Sequence, residues 1–574
     1  MTQLNLNQLS IDENKRLNVV AEQIRQEFNA IIESISSVHL HNINWIVGSI
    51  ASRNKYHSPF FMRLCMIAFV QNELLLNDGI DEIILSDKTL ATVLQNHYRK
   101  QNKCIKVHCT ETFTKTIWRL LRPFRQYCIA IMQLFLRWLG RSRRSASIKQ
   151  DQPITLIDTF ILNNQSGDEG SLTNGIYKDR YYPGLLEQLT EDEKQHVYFM
   201  PTIVGFKNPI RIFKEIRSAQ TQFLIHDDFL TTSDYLFILL HPYRLLRCRI
   251  PNTLFRNVDV TPLLVQEKWH HCSDFISLLG LLYYRFAYRL KLAHIKVRLL
   301  IEWYENQVMD RGMIVGFRRF HPNTIINGYQ GYVIAKNLHL YTLPNQTEYL
   351  AHAVPHVVSV VGEKLQADLV EFCQNLTVAV APGFRFQKLW RKRVYFPDQE
   401  KYTILVGLPI SLADSAHILM LLEKCLQSLH TTQIQFWIKP HPTWDSKRIK
   451  RLLPTWPPAF QFKTGDFHET LERAHLLISN ASSVSLEALA KGVFVIIIGA
   501  QQGITQNPIP LSVSKKWWSL VYTSDECVEA INQFKQCNQN DTTLKWSECL
   551  REQFFEPITR QTTLRFLALD KDIT

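Results

Sequence analysis

IQFWIKPHP, residues 434–442, is the stretch on which the fold turns. An apolar run of strand character stops abruptly in Lys439, Pro440, His441 and Pro442, and two prolines so close together end a ladder. A buried strand with a cation and an imidazole at its tip fits an open parallel sheet, because ligands of such sheets bind outside the carboxyl ends of the strands. Reading outward, YTILVGLP from Tyr402 is a strand and Ala413 to Leu429 a helix. After IQFWIKPHP come a helix from Ser446 to Leu453, the strand HLLISNA, the helix SVSLEALAKG and the strand VFVIIIG. This alternation predicts a parallel sheet covered by helices.

A similar alternation runs through the first half. NWIVGS, DEIILSD and KCIKVHC read as strands, with helices over Phe60 to Leu75 and KTLATVLQNHYRK. PITLIDTFIL, HVYFMP and TQFLIHD read as further strands beyond an interruption. Two α/β units in series predict two Rossmann-like domains facing a cleft, 1–385 and 386–574, similar to the GT-B arrangement. The first carries a basic helical insertion at 112–150 and a helical region at 272–304.

The chain has 574 residues and a formal charge of +13, enough for two or three packed domains. Nine Lys or Arg and no acid fall between Thr112 and Gln150. Within this run, 117–144 has a short apolar core bracketed by Arg119, Arg122, Arg125, Arg137, Arg141, Arg143 and Arg144, with Trp118 and Trp138 at its margins. Arginines meet anionic headgroups and tryptophans settle at the interface, so the segment is expected to lie on the inner-membrane surface. The alternative is a basic helical hairpin packed on the protein itself. Nucleic acid is not expected as a partner, since no helix-turn-helix, zinc finger or RNP-like sheet accompanies the charge. No secretory pattern opens the sequence and no apolar run reaches about 18 residues, so a cytoplasmic, peripheral location is expected. Eleven cysteines without a CxxC pair predict a reducing compartment rather than a disulfide framework, and the adjacent His270, His271 and Cys272 cannot easily converge on one ion.

The second unusual strand end is SNASSVSLEALAKG, residues 479–492. Ser482, Ser483 and Ser485 gather at a helix start, where orphan N–H groups and hydroxyls bind phosphate. Lys439 and His441, with Pro442 fixing the turn, would arrive from the neighbouring strand to meet the same group. Glu487, one turn further on, suits a ribose diol, and Gly492 ends the helix. A plain capping serine explains one of these residues and not the set.

KPHP followed some forty residues later by SNASSVSLEALAKG resembles the HP and SS motifs of bacterial sialyl-, polysialyl- and Kdo-transferases, which use CMP-activated acidic sugars. WIVGSIASRNKYHSPFF, DRYYPGLLEQL at 179–189 and EWYENQVMDRGMIVGFRRFHPNTIINGYQG at 302–331 extend the likeness to bacterial surface carbohydrate (lipopolysaccharide, capsule, O-antigen) biosynthesis proteins. The resemblance implies that His441 contacts phosphate or cytidine and that Ser482 and Ser483 bind phosphate. It also implies an acidic D/E-D/E-G motif supplying the base, matched in letters by Asp168, Glu169 and Gly170.

Glu305, flanked by Asn306 and Gln307, is the competing base at the cleft mouth, with His321 and Gln330 as candidate sugar or acceptor contacts. Related sequences often carry a histidine after GYQ, where this chain has Gly331. The only DxD, Asp570 to Asp572, lies in the polar tail, so a metal-independent glycosyltransferase without a cofactor is expected, acting on a glycan or lipid-linked acceptor. The alternatives are a UDP-sugar transferase or epimerase, and a non-catalytic membrane-docked assembly protein.

Overall fold

The computed structural model describes residues 2–77, 79–142, 152–163, 170–173, 175–205, 208–336, 339–391, 401–429, 433–480, 482–537 and 541–570. Three parallel sheets organise them. The first strands, β1 (Thr2–Asn5), β2 (Ile80–Leu85) and β3 (Lys106–Cys109), pair in that order as a small sheet of their own. The 44–109 region therefore does not extend the first Rossmann sheet. NWIVGS is not a strand either. Asn42 accepts the amide of Asn44 and starts one helical turn at Ile43–Ile46, and a second follows at Ser49–Ser52.

The first large sheet uses β4 (Ile154–Leu162) and, beyond a small hairpin of β5 (Leu172–Thr173) and β6 (Ile176–Tyr177), β7 (Val197–Val204). After a second hairpin, β8 (Leu254–Phe255) and β9 (Val258–Asp259), come β10 (Val297–Trp303), β11 (Ile325–Gln330), β12 (Val357–Val360) and β13 (Val378–Val380). Their order is β13-β12-β11-β10-β4-β7, all parallel, so the winding reverses between β4 and β10. The expected strand TQFLIHD contributes only an isolated bridge from Phe223 to Phe199 before a 3-10 turn at His226–Asp228.

The helical region expected at 272–304 is half right. A helix runs from Phe275 to Leu292, but Val297–Trp303 is the central strand β10, buried along nearly its whole length. No proline or glycine marks the break. His294 makes it by entering the left-handed region at φ 55°. This helix packs on the following one, Val308–Phe320, so closely that a Cβ on Gly312 would lie 1.9 Å from the Gly280 carbonyl oxygen.

The second large sheet is built from β14 (Tyr402–Gly407), β15 (Ile434–Lys439), β16 (Phe460–Phe462), β17 (Leu476–Ser479), β18 (Phe494–Ile498) and β19 (Trp518–Val521). Their order is β16-β15-β14-β17-β18-β19, again all parallel, the 3-2-1-4-5-6 winding of a dinucleotide-binding sheet. Every residue of β18 is buried, as both faces of a covered parallel sheet require. The winding reverses between β14 and β17.

The two halves are tied at several places. Asn14 bonds Ala500 and Gly503, and Leu9 exchanges two hydrogen bonds with Gln502. The C-terminal segment leaves the second unit and returns to the first: Glu556 bridges to Pro382, Phe566 packs on Phe384 with ring centres 5.5 Å apart, and Arg298 donates to the Leu567 carbonyl. The fold is α/β with two Rossmann-like parallel sheets, a GT-B-like arrangement with a third small sheet attached.

The insertion contains one helix, Phe113–Gly140, with Pro123 inside it, rather than a hairpin. Several of its arginines face the protein. Arg137 is buried against Asp227 at 2.7 Å, Arg119 meets Glu111 at 2.9 Å, and Arg141 donates to the Leu230 carbonyl. Arg143 and Arg144 lie outside the described residues. No helix among the described residues is long and apolar enough to cross a membrane.

Candidate functional site

In each large sheet the crevice expected to receive a ligand lies at the carboxyl ends of the strands where winding reverses. In the second sheet this is the end of β17, where Ser479 leads through Asn480 into Ser482 and Ser483. β15, which delivers Lys439 to Pro442, adjoins β14 on the other side of the reversal. In the first sheet it is the ends of β4 and β10. Glu305 follows β10 directly. Asp168 and Glu169 lie outside the described residues, and Gly170, the next described position, takes φ 82°.

His441 is half-buried. Its Nδ1 accepts the Thr443 amide at 3.2 Å and lies 2.8 Å from the Thr443 hydroxyl, which leaves Nε2 to carry the proton of a neutral ring. Burial holds its pKa below the ordinary histidine value, and the charge of Arg180 lowers it further. Arg180 belongs to DRYYPG in the first half, so the charge of a first-domain cation acts on the imidazole of the second. Pro442 is exposed. Lys439 is half-buried, donates to the Gly465 carbonyl at 2.6 Å, and is shifted down by burial.

The serine turn differs from a simple cap. Ser483 precedes the helix Val484–Ala490 and makes no capping bond; its hydroxyl donates to Glu487 at 3.2 Å. Ser485 is buried and bonded to Ser479, so it takes no part in an anion site. The helix has seven residues, too short for its dipole to carry much of the binding. Ser482 and Ser483 are both half-buried. Beside them, the buried Asn480 Oδ1 and His468 Nδ1 have no hydrogen-bond partner among the described residues. Glu487 faces His468 Nε2 at 3.4 Å.

Two cations that sequence reasoning missed complete the group. Arg385 stands in the turn Phe384–Trp390 over the Trp303 ring, 5.7 Å from its centre. Burial and then the like charge of Arg180 hold it below the ordinary arginine value, while Glu487 acts in the opposite sense. The charge of Arg180 thus acts on both His441 and Arg385, and Arg385 in turn feels Glu487, the partner of Ser483. The signal for Arg180 was present in DRYYPG, where Asp179 accepts the amides of Tyr181 and Tyr182 at 2.8 and 3.1 Å and so fixes the turn that presents it. Burial pushes Asp179 up to about 6.

Glu305 stands on the first-sheet side of the site, directly after β10. It accepts Trp303 Nε1 at 2.9 Å and Gln307 Nε2 at 2.5 Å. After burial, its charge helps raise the pKa values of Tyr56, Tyr181, Tyr332 and Tyr341. Tyr181 also feels Arg180 and Arg385, which links this side to the cations. Asn306 holds φ 54° and gives its amide to the Tyr341 carbonyl and to Glu348. Glu348 is itself clamped between buried Arg53 and Arg311. The Asn306 amide is therefore structural rather than available to a sugar.

Two sequence candidates lie elsewhere. Gln330 is buried and donates to the Thr342 carbonyl. His321 precedes β11, at the amino ends of the strands, and bonds the Ala287 carbonyl, so neither lines the crevice. Gly331 has no room for a side chain: a Cβ there would lie 2.4 Å from the Trp303 ring, which accounts for the missing histidine. No cluster of three or more His, Cys, Asp or Glu among the described residues is arranged to hold a metal ion.

No protein-family model and no curated protein sequence matches the chain. Solved structures align with it at low identity. MnaA of S. aureus with UDP is 8% identical with a TM-score of 0.42, covering 73% of this chain and 98% of its own. CalG4, the calicheamicin glycosyltransferase, is 11% identical at 0.41 (74% and 100%). The Neisseria meningitidis UDP-GlcNAc 2-epimerase bound to UDP-GlcNAc is 12% identical at 0.39 (72% and 99%).

Proposed function

We propose that the protein is a GT-B-type glycosyltransferase of bacterial surface polysaccharide biosynthesis. It transfers an acidic sugar, Kdo, sialic or a related nonulosonic acid, from a CMP-activated donor to a glycan or lipid-linked acceptor at the inner membrane. The observation that supports the reading is the chain of charges from His441 through Arg180 and Arg385 to the Glu487 that Ser483 bonds, beside the winding reversal of the second sheet. The unmet Asn480 and His468 atoms beside the serines support a polar ligand there.

In this reading the two guanidinium groups, the His441 Nε2–H and the Ser482 hydroxyl hold the donor phosphate, while Ser483 keeps its proton on Glu487. As the bond from the anomeric carbon to the phosphate oxygen breaks, its electron pair stays on the phosphate, where these donors stabilise the charge. The acceptor oxygen bonds to the anomeric carbon and its proton passes to Glu305, which the Trp303 and Gln307 bonds hold in place. Glu487, already bonded by Ser483, takes the ribose. Asp168 and Glu169 remain as the rival base through the family resemblance.

A second reading keeps the fold and changes the donor. Two arginines and a lysine exceed what one phosphate requires, which favours a diphosphate such as a UDP-sugar. Turnover separates the readings: release of CMP from a CMP-nonulosonate supports the first, release of UDP from UDP-GlcNAc the second. Turnover of neither, with nucleotide binding retained, leaves a binding protein.

A further inference from the structure

The helix Phe113–Gly140 is inverted relative to an ordinary surface helix. Its inward stripe contains Ala130, Leu134, Arg137 and Gly140, and it is held to the body by the buried Arg137–Asp227 pair. Its outward stripe is apolar. Trp118, Phe124 and Phe135 are 66%, 60% and 54% exposed, with Leu121, Met132 and Leu139 between them. A contiguous apolar face of this kind marks a surface that another medium covers.

The face continues past the helix. Tyr127 donates to the Leu239 carbonyl and Trp138 Nε1 to Thr232, seating the helices Thr232–Leu239 and His241–Leu246 alongside. These add exposed Leu236, Leu240 and Tyr243. Phe124 meets Trp269 of the helix Thr261–His271 edge-on at 5.9 Å.

Charge selects the occupant. From Thr112 to Ser142, and again from Phe229 to Asn257, the only acid is Asp234, which is buried beneath Arg285 and Arg289. Lys115, Arg125, Arg247 and Arg249 are exposed at the margins. A second copy of the chain would set these cations against themselves, whereas an anionic bilayer supplies both the apolar medium and the opposite charge.

We propose that the helices Phe113–Gly140, Thr232–Leu239 and His241–Leu246 form one monotopic membrane-docking face, with the apolar stripe in the headgroup region and the inward arginines serving as tethers rather than lipid contacts. The inference sharpens the membrane part of the function proposed above and is independent of the nucleotide site. Arg122 ties the face to the body: it approaches His271 at 3.4 Å and Asp274 at 3.8 Å.

Flotation of the full chain with phosphatidylglycerol–phosphatidylcholine vesicles tests it. The wild-type chain should float with these vesicles at least ten-fold more than with phosphatidylcholine alone. Leu121→Ser with Phe124→Ser and Phe135→Ser should lower flotation at least ten-fold, and Leu236→Ser with Leu240→Ser several-fold, with circular dichroism and nucleotide-induced thermal shift unchanged. Replacing Lys115, Arg125, Arg247 and Arg249 by Gln should abolish the preference for the anionic vesicle. Wild-type protein that does not float, or flotation insensitive to the apolar substitutions, overturns the proposal. So does a dimer in sedimentation that those substitutions convert to monomer, which would assign the face to a second copy. Loss of nucleotide binding by the wild-type chain would instead strike the transferase reading and leave this one standing.

Discussion

Arg180, presented by a turn of the first domain, lies close enough to His441, at the tip of β15 in the second, for its charge to depress the imidazole pKa. That charge keeps the ring neutral and makes its protonation unfavourable unless an anion joins the two. Arg385 repeats the pattern beside Arg180. The arrangement makes sense as a cradle for an anion. Removing Arg180 by Arg180→Met should raise the His441 pKa toward, but not to, its ordinary value, because burial is the larger cause. A histidine-resolved NMR titration reads this directly.

In the proposed mechanism Glu305 takes the acceptor's proton and does not hold the donor. Glu305→Gln keeps the shape and the Trp303 contact, so nucleotide affinity should stay within about three-fold while turnover falls by about 10² or more. Equal losses in both would make Glu305 a structural carboxylate and return the base to Asp168 or Glu169.

Asp310 accepts the amides of Glu305 and Gln307 with one oxygen, at 3.0 and 2.9 Å. Burial, and then the charge of Glu305, push it up to about 7, above its unfolded value. A raised carboxyl favours the folded state while it is protonated. Its contribution is complete below about pH 4 and is lost as pH rises through about 7, an effect of up to about 4 kcal/mol. Asp310→Asn retains the acceptor and cannot ionise, so its urea midpoint should fall less between pH 5 and pH 8 than that of the wild type.

Asp227 neutralises Arg137 under the inverted helix, at 2.7 Å and with both side chains buried. Asp227→Ala leaves that guanidinium buried and unpaired and should cost about 3–5 kcal/mol, measured by chemical denaturation. A loss under about 1 kcal/mol would mean that the helix is not anchored there.

Gly331 is pressed against Trp303 and Tyr329. Gly331→Ala should lower stability by about 1–3 kcal/mol through overpacking, and Gly331→His by more. A thermal melt distinguishes this from a catalytic role for the position.

What the sequence shows clearly is what local patterning determines. The run from Ile434 to Lys439 is buried almost throughout, and its termination in two prolines announced the strand end; Lys88–Lys100, capped by Asp87, is the helix its periodicity predicts. β10 was concealed because no proline or glycine separates the helix end at Leu292 from Val297, only His294 in a left-handed conformation. Arg180 and Arg385 were missed because their meaning depends on where two domains bring them, which no local period records. The arginines of 117–144 were read as facing lipid, but helical geometry turns Arg119 and Arg137 inward and leaves the apolar residues outside.

The account rests on one anion bridging the two domains between Arg180 and His441, and a calorimetric double-mutant cycle tests it most directly. With CMP, and in parallel UDP, Arg180→Met and His441→Ala should each weaken binding of the preferred nucleotide by about ten-fold or more. Combined, they should lose less than the sum by at least about 0.5 kcal/mol, because both hold the same group. Nucleotide affinity unchanged in both single variants, or strictly additive losses, would contradict a shared phosphate site.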